Sequence, residues 1–293
     1  MKTIADYDLE IKQNPNDAEL YRLRGIEYVN KGDYDTAIID YNHAIKINPN
    51  CAKSYNSRGY AYRSKNEFDQ AITDFNRSIQ LDPNLSAPYF NRGITYFLMD
   101  DKDKALVDFT KTIEIDPNNN QAYINRGIVC SNIASHLIIK LDLEKNTELK
   151  KELSNMKDNL INMAIKDFSH ELEINLNNSI VFINRGEAYK KIGNYDKAIE
   201  DFNQSIKINP KNSEGYLQRG KVYFNNKNYN KAIEDFNMAI KIDPKDWEIY
   251  HSRGFLYSNI GEHRKAIEDW EIIMKLNPNE NTAQMIEREK RKL

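Results

Sequence analysis

Apolar and aromatic residues return along this chain on a helical rhythm, at a fixed long interval. Within residues 18–51, Tyr21, Gly25 and Tyr28 stand at i, i+4 and i+7, which puts them on one face of a helix. Gly32-Asp33 breaks that helix and supplies a capping side chain for the next. Ala37, Tyr41 and Ala44 then repeat the spacing, and Pro49 closes the second helix, because the residue before a proline is pushed out of the α region. Gly25 and Ala37 are small enough for the two backbones to approach closely. The pattern predicts an antiparallel helix pair in which neither helix can bury its stripe alone, so neighbouring pairs have to stack.

The same unit recurs in phase. Arg-Gly stands at 24–25, 58–59, 92–93, 126–127, 185–186, 219–220 and 253–254, a step of 34 broken once by a step of 59. Ala37, Ala71, Ala105, Ala164, Ala198, Ala232 and Ala266 keep that phase. So do Asp40, Asp74, Asp108, Asp167, Asp201, Asp235 and Asp269, each followed by Tyr, Phe or Trp. This pattern resembles the tetratricopeptide repeat family, whose motif places aromatic, Gly, Tyr, Ala, aromatic, Ala and Pro where Tyr21, Gly25, Tyr28, Ala37, Tyr41, Ala44 and Pro49 stand here. The resemblance implies an all-α, right-handed superhelical solenoid of antiparallel helix pairs. Seven units cover residues 18–280, residues 1–17 match the second half of a unit, and residues 281–293 read as a polar capping helix. Leu176 replaces the terminal proline of the fourth unit.

One departure recurs in all seven units: an Arg precedes the Gly where the family usually has Leu. Each Arg has an Asp 16 residues later, and most have another 18 residues earlier, in the preceding unit. Matched numbers of Arg and Asp in one phase point to a structural ladder between helices rather than to a phosphate-binding array.

The long step hides an insertion of 25 residues, near 133–160, between the two helices of the fourth unit. Ile133, Leu137 and Leu141 continue the first helix, and Leu149, Leu153, Met156, Leu160 and Met163 keep the 4-3-4-3 rhythm of a coiled-coil seam into the second. Asn146 and Thr147 are suited to cap the second helix. A helical hairpin is expected, either projecting from the solenoid or packing on its groove.

Composition narrows the chemistry. A net charge of −2 gives no global field for nucleic acid, so no nucleic-acid partner is expected. Cys51 and Cys130 cannot form a disulfide framework or a metal set, and the five histidines are scattered, so no metal or cofactor is expected. Cys130 occupies a position held by Tyr in the other units and reads as a buried filler. The most apolar window, residues 128–143, is interrupted by polar residues and too short to span a bilayer. The chain reads as a cytoplasmic protein without catalytic machinery.

The resemblance also implies that the first helices line a concave groove, at positions one residue past the core stripe. In the third unit these are Ala87, Phe90, Ile94, Phe97 and Leu98; in the fourth they include Ile124 and Ile128. Unit two contributes Tyr60 among Lys, Asn, Arg and Ser. Units five to seven mix Lys190, Lys221, Phe224, His251 and Phe255 with acidic residues. Only units three and four are apolar through most of the stripe, and a contiguous apolar surface marks a binding site unless it packs on its own chain. Members of the family that bind chaperones hold a C-terminal carboxylate with Lys, Asn and Arg. Phe90 and Ile94 stand where such a Lys and Asn would be wanted, so that use is not expected. The expected function is a scaffold or adaptor holding a protein or peptide segment against Tyr60, Phe90, Ile94, Phe97, Leu98, Ile124 and Ile128. The alternative is an accessory or regulatory subunit of a larger enzyme or secretion assembly, docking through the hairpin; self-association is left open.

Overall fold

Helix boundaries follow the punctuation of the repeat. The computed structural model describes residues 2–278 and 280–293; Met1, in the expected half unit, and Asn279, in the seventh unit, lie outside the described residues. The fold is all-α, with sixteen helices and no strand among the described residues. The chain divides into two compact blocks, Met1–Ile133 and Ala134–Leu293. The N-terminal block holds α1 (Ile4–Gln13), α2 (Ala18–Asn30), α3 (Tyr34–Ile47), α4 (Ala52–Ser64), α5 (Phe68–Leu81), α6 (Ser86–Leu98) and α7 (Lys102–Ile115). The boundary falls in α8 (Asn120–Leu143). The C-terminal block holds α9 (Thr147–Ile174), α10 (Ser179–Lys191), α11 (Tyr195–Ile208) and α12 (Ser213–Asn225). It continues through α13 (Tyr229–Ile242), α14 (Trp247–Asn259), α15 (His263–Leu276) and α16 (Glu280–Lys290). No helix among the described residues is long and apolar enough to cross a membrane.

Inside each pair, the Arg-Gly dipeptide of the first helix docks on the Asp-aromatic dipeptide of the second. Arg24, Arg58, Arg92, Arg185, Arg219 and Arg253 each donate from Nε and Nη2 to both carboxylate oxygens of the Asp 16 residues on, at 2.6–2.9 Å. The adjacent Gly faces the ring beside that Asp. A Cβ on Gly59, Gly186 or Gly220 would lie 2.7 Å from Phe75, Phe202 or Phe236, closer than real contacts allow. The third guanidinium nitrogen of these six reaches back to the preceding second helix, to Asp8, Asn42, Asn76, Ser169, Asn203 or Asn237, 16 residues earlier, and Arg126 reaches Thr110 in the same way. This corrects the expected partner 18 residues earlier. Two residues turn a helix by about 200°, so the buried Asp points to its own repeat while the residue two places on points to the next.

Stacking uses a position that the i, i+4, i+7 reading passed over. Two residues beyond Gly59, Gly127, Gly220 and Gly254 stand Ala61, Val129, Val222 and Leu256, all buried against the preceding pair. Ala61 joins Ala37 and Tyr41, Val129 joins Ala105 and Phe109, Val222 joins Ala198 and Phe202, and Leu256 joins Ala232 and Phe236. Each of these rings therefore lies between its own glycine and a plug from the following repeat.

First helices of successive pairs also touch each other, α2 with α4 and α4 with α6 in one block, and α10 with α12 and α12 with α14 in the other. Successive second helices make no comparable contact among the described residues. The first helices therefore form the closer-packed, inner layer of each block.

The ends are covered. Tyr7 and Ile11 of α1 share a cluster with Leu20, and Ile286 of α16 packs with Tyr250, Trp270 and Ile273. The buried Glu289 carboxylate accepts from Ser258 Oγ and is held by His263 and Lys292. Burial works against its charge, but the hydrogen bonds from Lys292, Ser258 and His263 outweigh it and hold the carboxyl below its ordinary range.

In the fourth repeat both helices are long: α8 has 24 residues and α9 has 28, against 13 in α10 and 14 in α11. Asn146 caps α9 by accepting from the backbone N–H groups of Glu148 and Leu149. The buried face of α9 differs from the expected seam. Leu153, Ile161, Ala164 and Phe168 are buried, whereas Leu149, Met156 and Met163 are exposed. Ile161 clusters with Ala134 and with Ala188 of α10, so α9 faces two neighbours and its apolar stripe is turned away from a two-helix seam.

The turn between the helices of a pair needs one left-handed residue. Gly32, Gly193 and Gly261 supply it with φ of 77–81°, and Asn66, Asp100 and Lys227 adopt it at 59–63°. Asn and Asp tolerate this region, but a lysine pays the Cβ–carbonyl clash of about 1–2 kcal/mol. Lys227→Gly is expected to raise the unfolding free energy by about 0.5–1 kcal/mol, after the extra backbone entropy of glycine is subtracted. Urea unfolding checks this; an unchanged or lowered midpoint would contradict it.

Candidate functional site

The expected groove residues lie on α4, α6 and the start of α8, first helices of successive pairs in the N-terminal block. They are not equally exposed. Tyr60 is 38% and Leu98 56% exposed, whereas Phe90, Ile94, Phe97, Ile124 and Ile128 are half-buried. Phe90, Ile94 and Phe97 pack against the cluster of Ala105, Phe109 and Val129, and the Phe90 and Phe109 rings meet at 5.9 Å and 57°. Helical geometry explains the division. One residue past the core stripe is about 100° round the helix, so a long side chain there touches the core margin with one edge and the surface with the other. The second stripe of α6 thus has a structural share as well as an accessible one.

A polar group beside the stripe was not foreseen in the sequence. Arg63 of α4 donates to the side-chain and main-chain oxygens of Asn91 on α6, at 3.1 and 3.4 Å, and Asn91 donates to Asn56 Oδ1 at 3.0 Å. The Arg63 guanidinium also lies 4.7 Å from the centre of the Tyr60 ring. Burial draws its pKa down, with Tyr60 opposing, yet an arginine stays charged. The only hint in the sequence is that Asn56, Arg63 and Asn91 fall at inner positions of adjacent units, a relation visible only once α4 and α6 are in contact. The surface therefore offers an apolar floor with one fixed cation at its edge.

The seven repeating arginines are not part of it. Six of them spend both outer nitrogens and Nε on Asp and on a partner in the preceding helix, and Arg58, Arg92, Arg185, Arg219 and Arg253 sit between aromatic rings. Arg92, for example, lies 5.7 Å from the Tyr89 ring and 5.9 Å from the Tyr96 ring. Among the described residues, no cluster of three or more His, Cys, Asp or Glu is arranged to hold a metal ion.

Family models match most of the pairs just described. A tetratricopeptide repeat model matches residues 86–119, 179–212 and 213–246, a TPR repeat model matches 25–62 and 59–100, and a further tetratricopeptide repeat model matches 236–268. The chain belongs to the tetratricopeptide repeat family. Solved structures of such proteins share the fold. A tetratricopeptide repeat protein from Parabacteroides merdae is 18% identical, with a TM-score of 0.61 over 94% of this chain and 99% of that one. The C-terminal part of a TPR repeat-containing protein from Cytophaga hutchinsonii is 17% identical, with a TM-score of 0.62 over 91% and 99%. YrrB, described as a TPR protein with an unusual peptide-binding site, is 20% identical, with a TM-score of 0.59 over 73% and 97%. No curated protein matches the sequence.

Within this tetratricopeptide repeat protein, the division of the stripe has a measurable consequence. Phe90→Ala should lower the unfolding free energy by about 1–3 kcal/mol, less than for a fully buried ring. Leu98→Ala, on the open edge, should change it by less than about 0.5 kcal/mol. Equal costs at the two positions in urea unfolding would show that the stripe is wholly core or wholly surface.

Proposed function

We propose that the chain is a non-catalytic, cytoplasmic scaffold or adaptor that holds a partner's apolar segment against Tyr60, Phe90, Ile94, Phe97, Leu98, Ile124 and Ile128. The observation that carries this reading is the run of large apolar side chains through the inner-layer positions of α6 and the start of α8, where the first, second and fifth repeats interleave Arg22, Asn56, Arg63, Glu187 and Lys190. Tyr60 and Leu98 present the free edges, and the half-buried rings and isoleucines form a fixed floor that loses little entropy on binding. Tetratricopeptide repeats serve as protein-interaction modules, and the peptide-binding site of YrrB is a precedent in a protein of the same fold. Arg63, held by Asn91, would favour a partner with an acidic or carbonyl group flanking its apolar residues.

A second reading rests on the hairpin. Ile139, Leu143, Met156 and Met163 are exposed on α8 and α9, so this insertion could be the docking element of an accessory subunit or a contact for self-association.

The two are separated by comparing what each of three proteins retains from source lysate: the natural chain, Leu98→Glu, and a chain whose residues 139–151 are replaced by a short turn. The groove reading predicts that the principal retained protein is lost with Leu98→Glu and kept without the hairpin tip. The opposite pattern would transfer the function to the hairpin.

A further inference from the structure

We propose a second binding site, on the inner layer of the C-terminal block, that takes an extended acidic peptide with an aromatic side chain next to its carboxylate. It is independent of the groove around Phe90. A cavity of about 250 Å³ opens between α10, α12 and α14. That is smaller than the roughly 300–1,000 Å³ of clefts that enclose drug-sized ligands, and it suits one side chain.

Its walls divide by chemistry. Phe224 and Phe255 meet edge to face, with ring centres 5.9 Å apart and planes at 78°, and Phe255 is 47% exposed. An incoming ring can continue this arrangement, since aromatic groups favour offset or edge contacts. Lys190, Lys221, His251 and Asn225 line the same cavity, and no carboxylate is among its lining residues. Lys190 spends one donor on Gln218 Oε1 at 2.5 Å, and Gln218 is fixed in turn by Glu214 at 2.7 Å. Its nearest carboxylate, Glu187, stands 3.9 Å away, too far for a hydrogen bond, so a lysine with three donors keeps capacity for an anion. Lys221 pairs with Glu248 at 2.6 Å, and that Glu is half exposed, so its place beside the ammonium is open to exchange.

The electrostatics agree with this geometry. Burial draws the Lys190 pKa down, Glu187 partly opposes it, and the neighbouring Lys221 and Lys191 draw it further. A carboxylate entering the cavity would relieve that strain. Glu187, Glu214 and Glu248, which lie against Lys190, Gln218 and Lys221, disfavour a continuous phosphate backbone, which selects a peptide with a single acidic group over a nucleic acid.

The probes are two fluorescein-labelled, C-amidated hexapeptides, Gly-Ser-Glu-Phe-Ser-Gly and Gly-Ser-Phe-Glu-Ser-Gly, with versions carrying Gln for Glu or Ala for Phe, read by anisotropy on the full chain. At least one probe should bind about tenfold tighter than its Gln and Ala versions, about 1.4 kcal/mol. Lys221→Met and Phe255→Ala should each weaken it by about the same factor, while Leu98→Glu leaves it unchanged. The proposal is overturned if the Gln versions bind as well, if neither C-terminal variant weakens binding, if no probe saturates, or if labelled oligothymidine binds more tightly than the peptides. Loss of binding in Leu98→Glu would assign the probe to the groove instead and equally overturn it.

Discussion

Everything in this solenoid hangs on one contact made repeatedly: an Arg-Gly step on the first helix of a pair seated on an Asp-aromatic step of the second. The glycine is a vacancy for a ring, as the 2.7 Å approach of a Cβ on Gly59, Gly186 or Gly220 to its phenylalanine shows. The arginine closes the same contact with two charge-assisted bonds to an almost fully buried carboxylate. Burial is the main cause that raises the pKa of Asp74, Asp108, Asp201, Asp235 and Asp269, and the facing arginine partly offsets it. The ladder thus fixes register more than it adds stability, since a buried pair regains in attraction what it lost in solvation. With the third guanidinium nitrogen on the preceding helix, the same residue also joins neighbouring repeats.

That economy decides where recognition can occur. The repeating arginines, aspartates and most tyrosines are committed to the frame. The residues that vary from repeat to repeat on the inner layer are free to differ, and they do: apolar around Phe90 and Leu98, lysine and phenylalanine around Lys221 and Phe255. Neighbouring first helices touch, so side chains from two or three repeats converge on each surface, as Arg63 with Asn91 and Lys190 with Gln218 illustrate.

The fold was legible because its signal is periodic and each copy restates it. Arg24, Gly25, Asp40 and Tyr41 announce the pairing of one repeat, and their counterparts announce the others. What escaped notice was contact between repeats. The plug residues Ala61, Val129, Val222 and Leu256 vary in size, so they carry no signature of type, and only the stacked geometry shows that they share one role. The backward partner of each arginine was misplaced by two residues for the same reason: one Asp cannot face two helices, and spacing alone does not say which it faces. On α9 the seam reading assumed a single neighbour, whereas Ile161 has to meet both Ala134 and Ala188. For the proposed groove, the sequence shows the apolar stripe of α6, but the division of that stripe between core and surface depends on the ring of Phe109 against Phe90.

The claim most open to direct test is that the arginine array belongs to the frame and not to a ligand. A double-mutant cycle on Arg92 and Asp108, followed by urea unfolding, addresses it. Arg92→Met alone should lower the unfolding free energy by about 2–4 kcal/mol, because it strands a buried carboxylate, and adding Asp108→Leu should restore most of the loss. An Arg92→Met variant as stable as the natural chain would contradict the account and return the arginines to the list of binding residues.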